Sequence, residues 1–365
     1  MNESDSERIA GFLELLGLKP AMDSKKADSS AKALTKADLV IFNTCGVRQM
    51  AEDRVYGQIH NIREQESVNS EQKRRIIILT GCLADRKDVQ GRLENKVDMF
   101  IPIKDIFKIK NLKLIKNSKL KIKNSVTCDN NYLKILPQYK NSTTAYIPIM
   151  TGCNNFCSYC IVPYARGREI SRPAEEIIHE IKSLVKKGYK EIILLGQNVN
   201  SYLYKNIKFP ALLDKIAKNN PGMNFRFLTS HPKDFSQNLI DVIEKNKNIS
   251  REIHLPVQAG SDKILKAMNR PYTQKKYLSL IDKIKKNIPE ATFTTDIIVG
   301  FPGETKNDFE ESIKVFKKVK YNEAYINKYS PRPGTAAWKL KETVTLPEKK
   351  RREKILRALV GYGKN

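Results

Sequence analysis

MTGCNNFCSYCIVPYARGREIS, residues 150–171, sets three of the chain's six cysteines on one short loop, as Cys153, Cys157 and Cys160. Their spacing is C-x3-C-x2-C, and no fourth Cys or His follows closely. A structural zinc takes four closed ligands, usually from two C-x2-C-like pairs. Three thiolates on one loop suit instead three irons of a cubane iron–sulfur cluster, whose usual ligands are thiolates. The fourth iron is then open to a small molecule. Buried free cysteines in a tight turn, or half of a zinc site, are the plainer readings. Three cysteines within eight residues of a chain that has only six weigh against both.

Outward from this loop the chain reads as strand then helix, repeated. A strand at 145–150 leads into the cysteines. A helix at 173–187 opens with Glu175 and Glu176 and ends at Lys186, Lys187 and Gly188. Further strands are expected at 191–195, 224–228, 252–255, 293–299 and 324–329. They run into Gly196-Gln197-Asn198, Thr229-Ser230-His231-Pro232, Pro256 to Ser261, Gly300 to Glu304, and Ser330 to Gly334. Thr305 with Asp308 reads as the cap of the helix after Glu304. Six βα units in a row predict a barrel or an open partial barrel. In such folds the chemistry sits at the strand carboxyl ends, where all these strings fall. Asp296 breaks an otherwise apolar strand, which predicts an inward polar role. His254 is expected to bond within the barrel rather than act as a ligand. A basic helix is expected at 346–360.

Before the loop lies a second α/β pattern. A helix from Ser4 is expected, with Ser4 and Glu7 as capping box, Ile9, Phe12, Leu13 and Leu16 on one face, and Gly17 as stop. A polar loop at 23–36 comes next. Strands at 39–42 and 75–79 flank a helix at 48–65, a β-α-β unit with the usual right-handed crossover. The strands end in Asn43-Thr44-Cys45 and Thr80-Gly81-Cys82. Ligand sites of open α/β sheets gather at such ends. The two cysteines therefore either share a metal or are unrelated thiols. A pair is an incomplete site, and the first helix lacks a strand before it. Both gaps suggest that the sequence in hand starts late. Cys128, in the polar stretch 108–144, reads as incidental.

A chain of 365 residues has room for two domains with proper cores. Lys plus Arg number 66 against 40 acids, a net charge of +26, and the pI is near 9.7. A polyanion is the natural partner, nucleic acid first among them. Lys- and Asn-rich runs such as 108–123 have a compositional explanation as well, an AT-rich genome. No apolar run reaches the roughly 18 residues of a membrane span, and no signal peptide is present. Six cysteines in a chain this long do not form a secreted disulfide framework, so a reduced cytoplasm is expected.

With Tyr159 before the last cysteine, GCNNFCSYCIVPYARGRE resembles the signature of the radical S-adenosylmethionine (SAM) enzymes, and within them the tRNA methylthiotransferases. GQNVNSY, TSHPKDF, HLPVQAGSD, TDIIVGFPGET and YSPRPGTAA are similar to the MiaB type of that family. The resemblance implies an amino-terminal α/β domain at 1–107 without its first strand, a linker at 108–143, and a six-unit radical SAM partial barrel at 144–365. The family's carboxyl-terminal RNA-binding β-barrel has no counterpart here. The resemblance further implies two [4Fe-4S] clusters and SAM. Cys153, Cys157 and Cys160 would hold the SAM-binding cluster. Cys45 and Cys82 match the second and third ligands of the auxiliary, sulfur-donating cluster, whose first ligand is missing. Tyr159, Gly196, Gln197, Gln258, Ser261, Asp296, Ile298 and Gly300 are the expected SAM-contacting residues. Gly196 and Gln197 fall near the methionine amino group, Gln258 and Ser261 near the ribose, and Ile298 and Gly300 near the adenine. Arg166, Arg168 and Arg172 come just after the loop, and guanidinium groups recognise phosphate, so at least one of them, Arg166 or Arg168 first, is expected to face RNA, with a solvated loop or internal salt bridges as the plainer reading.

The function so implied is transfer of a methylthio group to carbon 2 of N6-isopentenyladenosine beside the tRNA anticodon. It proceeds by radical C–H activation, sulfur insertion and methylation. The partners implied are the anticodon loop, a reductant such as flavodoxin or ferredoxin, and no membrane, with the enzyme a monomer. Two alternatives stand beside it: a methylthiotransferase acting on another tRNA base or a ribosomal protein, and a non-catalytic metal-binding RNA-binding protein.

Overall fold

Six parallel strands in sequence order carry the larger part of the computed structural model, which describes residues 1–21, 37–46, 49–68, 74–111 and 131–361. Cys128 and the expected loop at 23–36 lie outside the described residues. By packing, the chain divides into two units. Unit 1 is 1–142 with 161–167, and unit 2 is 143–160 with 168–365.

In unit 2 the strands are β4 (Thr144–Pro148), β7 (Glu191–Leu195), β10 (Asn224–Phe227), β11 (Glu252–His254), β12 (Thr292–Val299) and β13 (Glu323–Lys328). They form two three-stranded parallel ladders, β4-β7-β10 and β11-β12-β13. The bridge Phe225↔Ile249 joins the ladders just ahead of β11. This is the predicted six-unit partial barrel. A small antiparallel hairpin, β8 (Leu203–Tyr204) with β9 (Ile207–Lys208), sits in the connection after β7. Alternate side chains separate the faces of the barrel sheet, as the pleat requires. Ala145, Ile147, Ile192, Leu194, Phe225, Phe227, Phe293 and Ile297 are buried.

Helices connect the strands and cover this apolar face. The helix expected at 173–187 is α5 (Ala174–Lys186), which buries Ile177, Ile181 and Leu184. Phe209 of α6 (Phe209–Asn219) meets Phe227 edge-on at 5.2 Å. Then come α7 (Gln237–Lys245) and the short α8 (Asp262–Ala267). Tyr277 of α9 (Gln274–Asn287) donates to the Leu255 carbonyl at 2.9 Å. Each such fully buried side chain contributes about 1.5–3 kcal/mol.

The opposite face is polar. Arg226 pairs with Glu252 at 2.5 Å, and His254 bonds Thr294 at 2.9 Å and Asp296 at 3.0 Å. Asp296 thus lies on this polar face, with His254 as its partner. The strand expected at 145–150 is two elements. Met150–Thr151 (β5) leaves the sheet and pairs antiparallel with Ile170–Ser171 (β6). Thr305 and Asp308 form the predicted reciprocal capping box of α10 (Lys306–Val319).

The basic helix, α11 (Leu346–Arg357), spends two of its cations inside the fold. Lys349 pairs with Glu342, and Arg352 meets Glu304 at 2.5 Å; both cations are buried.

Unit 1 has a three-stranded parallel sheet, β1 (Leu39–Thr44), β2 (Ile76–Gly81) and β3 (Met99–Phe100), in that order. Helices α1 (Asn2–Leu15), α2 (Gln49–Val68), α3 (Lys87–Arg92) and α4 (Val162–Arg166) belong to it. Helix α1 begins at Asn2, and the expected Ser4/Glu7 box does not form. The Glu7 carboxylate accepts instead from the Lys140 backbone N–H at 3.0 Å. At its far end Gly17 (φ +84) donates to the Glu14 carbonyl and Leu18 to that of Leu13, a Schellman stop.

The stretch expected as a linker packs, in part, into this core. Tyr132, Leu133 and Ile135 are buried against Ile9, Phe12 and Phe107. Gly11 permits this, since a Cβ there would sit 2.1 Å from the Leu136 carbonyl oxygen. No described helix is long and apolar enough to cross a membrane.

Candidate active site

The cysteine loop is held at both ends and along its length. β5 and β6 pair across its base, and Asn154 and Glu169 bond reciprocally, each backbone N–H to the other's side chain, at 3.2 Å. Gly152 (φ +77) and Phe156 (φ +47) take the left-handed turns that fold the loop back. Ser158 donates from its N–H to the Met268 carbonyl at 3.0 Å and from its hydroxyl to that of Ala267 at 2.8 Å. Asn269 binds the Phe156 carbonyl at 3.0 Å, and Ala337 binds that of Ser158 at 2.7 Å.

Cys153 and Cys157 are buried and Cys160 is half-buried. Burial pushes the Cys153 thiol up, with the Asn155 backbone N–H opposing. Tyr159 is half-buried, and burial raises its phenol while Arg270 opposes. Among the described residues no three His, Cys, Asp or Glu side chains converge on one ion.

Arg270 is only 7% exposed, yet its Nη1 lies 3.5 Å from Cys157 Sγ. A buried cation beside the Cys157 thiol is the chemistry an anionic group requires.

Around the loop, strand ends carry the other expected residues. Gly196 leaves β7 where a Cβ would meet Met150 Cγ at 2.7 Å, so only glycine fits there. Gln197 beside it is half-buried. Gln258 sits at φ +66, bridged to β12 through Asp296 and Ile298 backbone bonds. Thr229 is also at φ +66. Left-handed backbone at non-glycine residues costs about 1 kcal/mol or more and collects at functional sites. Ile298 is half-buried on the polar face. Gly300 (φ +72) has its open side filled by the Lys349 side chain.

The Ser261 hydroxyl donates to Asp308 at 2.6 Å, which leaves its lone pairs to accept from a ribose hydroxyl. One expectation is corrected. Arg166 is buried in unit 1, where it pairs with Asp5 at 2.5 Å, so it does not face RNA. Arg172 is likewise buried, on Glu180 at 2.7 Å. Arg168 stacks over the Phe156 ring at 4.5 Å and is exposed.

Sequence reasoning missed a polar quartet. Asn198 Oδ1, Asn200 Nδ2, Ser230 Oγ and His231 Nε2 are buried without a hydrogen-bond partner at the ends of β7 and β10. Unsatisfied buried polar atoms cost about 1–3 kcal/mol each, so such a group marks a place for a polar ligand. Burial, then the nearby Arg270 and Lys233 cations, lower the His231 pKa to about 2, so the ring is neutral. The signal in the sequence was the Thr229 to Pro232 string, whose turn was legible while its orphaned atoms were not. Arg270 had no signal, because nothing in its local pattern ties it to the loop.

In unit 1, Cys45 and Cys82 end the paired strands β1 and β2 as expected, Cys82 buried and Cys45 half-buried. Cys82 donates from its N–H to the Thr44 carbonyl at 3.0 Å, and a Cβ on Gly46 would lie 3.1 Å from Cys82 Cβ. The two cysteine turns therefore abut. Gly81 (φ +83) makes this approach, since a Cβ there would fall 2.3 Å from the Thr44 carbonyl oxygen. Buried atoms without partners gather in this unit too: Asp5 Oδ1, Asn43 Oδ1, Thr80 Oγ1 and Arg166 Nη1.

The radical SAM superfamily model matches residues 147–316, and that of the uncharacterized protein family UPF0004 matches 1–102. A tRNA-2-methylthio-N(6)-dimethylallyladenosine synthase of Endomicrobium trichonymphae is 41% identical over 98% of this chain and 80% of its own length. One from Thermoanaerobacter pseudethanolicus is 44% identical over 94% of this chain and 72% of its own. Among solved structures, the radical SAM methyltransferase TsrM of Kitasatospora setae aligns at TM-score 0.58 with 13% identity, covering 82% of this chain and 64% of its own. The cobalamin-dependent radical SAM enzyme OxsB with aqua-cobalamin bound aligns at 0.58 with 11% identity, over 99% of this chain and 55% of its own. These two share the fold. The chain belongs to the radical SAM tRNA methylthiotransferase family whose named members are tRNA-2-methylthio-N(6)-dimethylallyladenosine synthases.

Proposed function

We propose that this chain transfers a methylthio group to carbon 2 of N6-isopentenyladenosine beside the anticodon of tRNA. The substrate rests on relatives of 41–44% identity. The observation that carries the chemistry is the cysteine loop, pinned at the mouth of a parallel barrel beside the buried Arg270. Cys153, Cys157 and Cys160 hold a [4Fe-4S] cluster, and the barrel mouth holds SAM. When bound, the pair supplies a 5′-deoxyadenosyl radical able to take hydrogen from an adenine carbon.

The protein's part is to bind, orient and keep the site dry. Cys153 and Cys157 are closed to water by the segments that pin the loop. His231 Nε2–H, Ser230 Oγ, Asn198 Oδ1 and Asn200 Nδ2 satisfy the polar groups of SAM, with Gly196 and Gln197 lining its amino end. Gln258 and Ile298 shape the ribose and adenine side. Cys45 and Cys82 hold an auxiliary cluster that is the sulfur source, and the buried Arg166 supplies positive charge beside Cys82. Arg168 meets RNA phosphate. A small reductant such as flavodoxin supplies electrons, the enzyme acts as a monomer, and the reaction runs in the cytoplasm, where the RNA is.

The test is anaerobic reconstitution with iron and sulfide. Replacing Cys157→Ala abolishes reductive SAM cleavage. Cys45→Ala and Cys82→Ala keep cleavage and lose methylthiolation of a tRNA stem-loop. Persistent cleavage in Cys157→Ala, or zinc at these sulfurs, sinks the assignment. Activity on a ribosomal protein in place of the stem-loop sinks the substrate.

A further inference from the structure

We infer that Arg270 is the fixed counter-cation of the cluster at Cys153, Cys157 and Cys160, and that it sets the potential at which this cluster accepts its electron. The inference rests on the cluster proposed above.

Arg270 donates from Nε to the Tyr272 hydroxyl at 3.0 Å and from Nη2 to the Pro256 carbonyl at 3.2 Å, while Nη1 faces Cys157 Sγ at 3.5 Å. Its two oxygen acceptors are neutral, and among the described residues no carboxylate pairs with it. Four other buried arginines differ. Arg86 meets Glu52, Arg166 meets Asp5, Arg172 meets Glu180 and Arg352 meets Glu304. A buried guanidinium without counter-charge costs several kcal/mol. The group its free nitrogen reaches is a cysteine sulfur. Three thiolates on a [4Fe-4S]2+ core leave a net charge of −1, and one added electron makes it −2. A cation at fixed distance stabilises both states, the reduced one more, and so raises the potential. The distance is fixed because the segment bearing Arg270 also pins the loop, through Met268 to Ser158 and Asn269 to Phe156.

The experiment is a redox titration of the reconstituted protein, monitored by electron paramagnetic resonance, in a Cys45→Ala/Cys82→Ala background that isolates the one cluster. At the wild-type midpoint potential, Arg270→Met is expected to show a ratio of reduced to oxidised cluster at least about tenfold lower, which is a shift of about 59 mV downward for one electron. Arg270→Lys, which keeps the charge, recovers most of it. The Arg270→Met apoprotein melts at an unchanged or higher temperature, because an uncompensated charge has gone. If Arg270→Met cannot retain iron while Arg270→Lys does, with both apoproteins stable, the counter-cation role is supported by that route. An unchanged midpoint with an intact cluster overturns the inference and leaves the cluster standing. An equal loss of apoprotein stability in both variants reduces Arg270 to a structural tie and also overturns it. A wild-type protein that takes up no cubane fails at the underlying proposal.

Discussion

His231 carries its one ring hydrogen on Nε2, because Nδ1 accepts from the Lys233 backbone N–H at 3.2 Å. With its pKa at about 2 it is a donor and not a proton carrier. His231→Gln, which keeps an N–H, therefore holds the KM for SAM near wild type. His231→Phe raises that KM about tenfold, the cost of one unmade buried bond. Steady-state SAM cleavage separates the two. The same pKa has a linkage consequence. The unfolded ring titrates near 6.5, so below that pH the unfolded chain binds a proton that the native one refuses. The wild type then loses about 1.4 kcal/mol of stability per pH unit on acidification from about 6.5, and His231→Gln does not lose this share. Urea unfolding at pH 7.5 and 5.5 measures the difference. Arg166 and Arg168 make a second contrast two residues apart. Arg166→Ala strands the buried Asp5 carboxylate and destabilises unit 1 by about 3–5 kcal/mol. Arg168→Ala costs about 1 kcal/mol or less and weakens RNA binding instead. Thermal melting and a binding assay, run on both, show whether the roles are so divided.

At the scale of elements, α10 shows how local and tertiary bonding meet. Its capping box was legible from Thr305 and Asp308, three residues apart. That Asp308 also accepts from Ser261 at 2.6 Å and Lys263 at 2.9 Å was not, since those residues lie more than forty positions upstream. Burial works against the Asp308 charge, but these hydrogen bonds outweigh it and hold its pKa below the usual value. A depressed acid contributes stability that is present above the unfolded pKa of about 3.9 and is lost as pH falls below it. Asp308→Asn is expected to cost about 1–2 kcal/mol at pH 7 and less at about pH 2, the gap narrowing as the pH falls below the unfolded value. Chemical unfolding at the two pH values checks it; a constant gap would place the loss in packing. The boundaries of β4 show the opposite limit. A run of apolar residues from Ala145 to Met150 reads as one strand, yet the backbone turns at Ile149 so that Met150 can pair with Ser171. No period in the sequence marks that turn.

For the whole molecule the governing quantity is the charge of +26. Ion pairs such as Lys349 with Glu342 and Arg352 with Glu304 are already cancelled in that figure, so the excess cations are the ones that meet a polyanion. Binding to a tRNA stem-loop is expected to weaken linearly in log–log against salt, with a slope of about −0.7 to −0.9 per phosphate contacted. A slope shallower than about −2 in filter binding between about 50 and 300 mM salt would remove electrostatics as the basis of recognition.

By itself the sequence determined the features that local pattern encodes. Strand and helix periods place the six barrel strands β4, β7, β10, β11, β12 and β13 in order, and order alone puts Cys153, Gly196, His231, Gln258 and Gly300 at one end of the barrel, because parallel strands share a carboxyl edge. Cys45 and Cys82 are placed by the same rule. Only the tertiary structure decided which polar groups are spent and which are free. Arg166 and the Ser261 hydroxyl donor were spent on partners far along the chain, Asp5 and Asp308. His231 and Ser230 were left with unsatisfied atoms, and Arg270 was brought to Cys157 across 113 positions. Pairing of that kind depends on three-dimensional proximity and burial, which no spacing along the chain encodes.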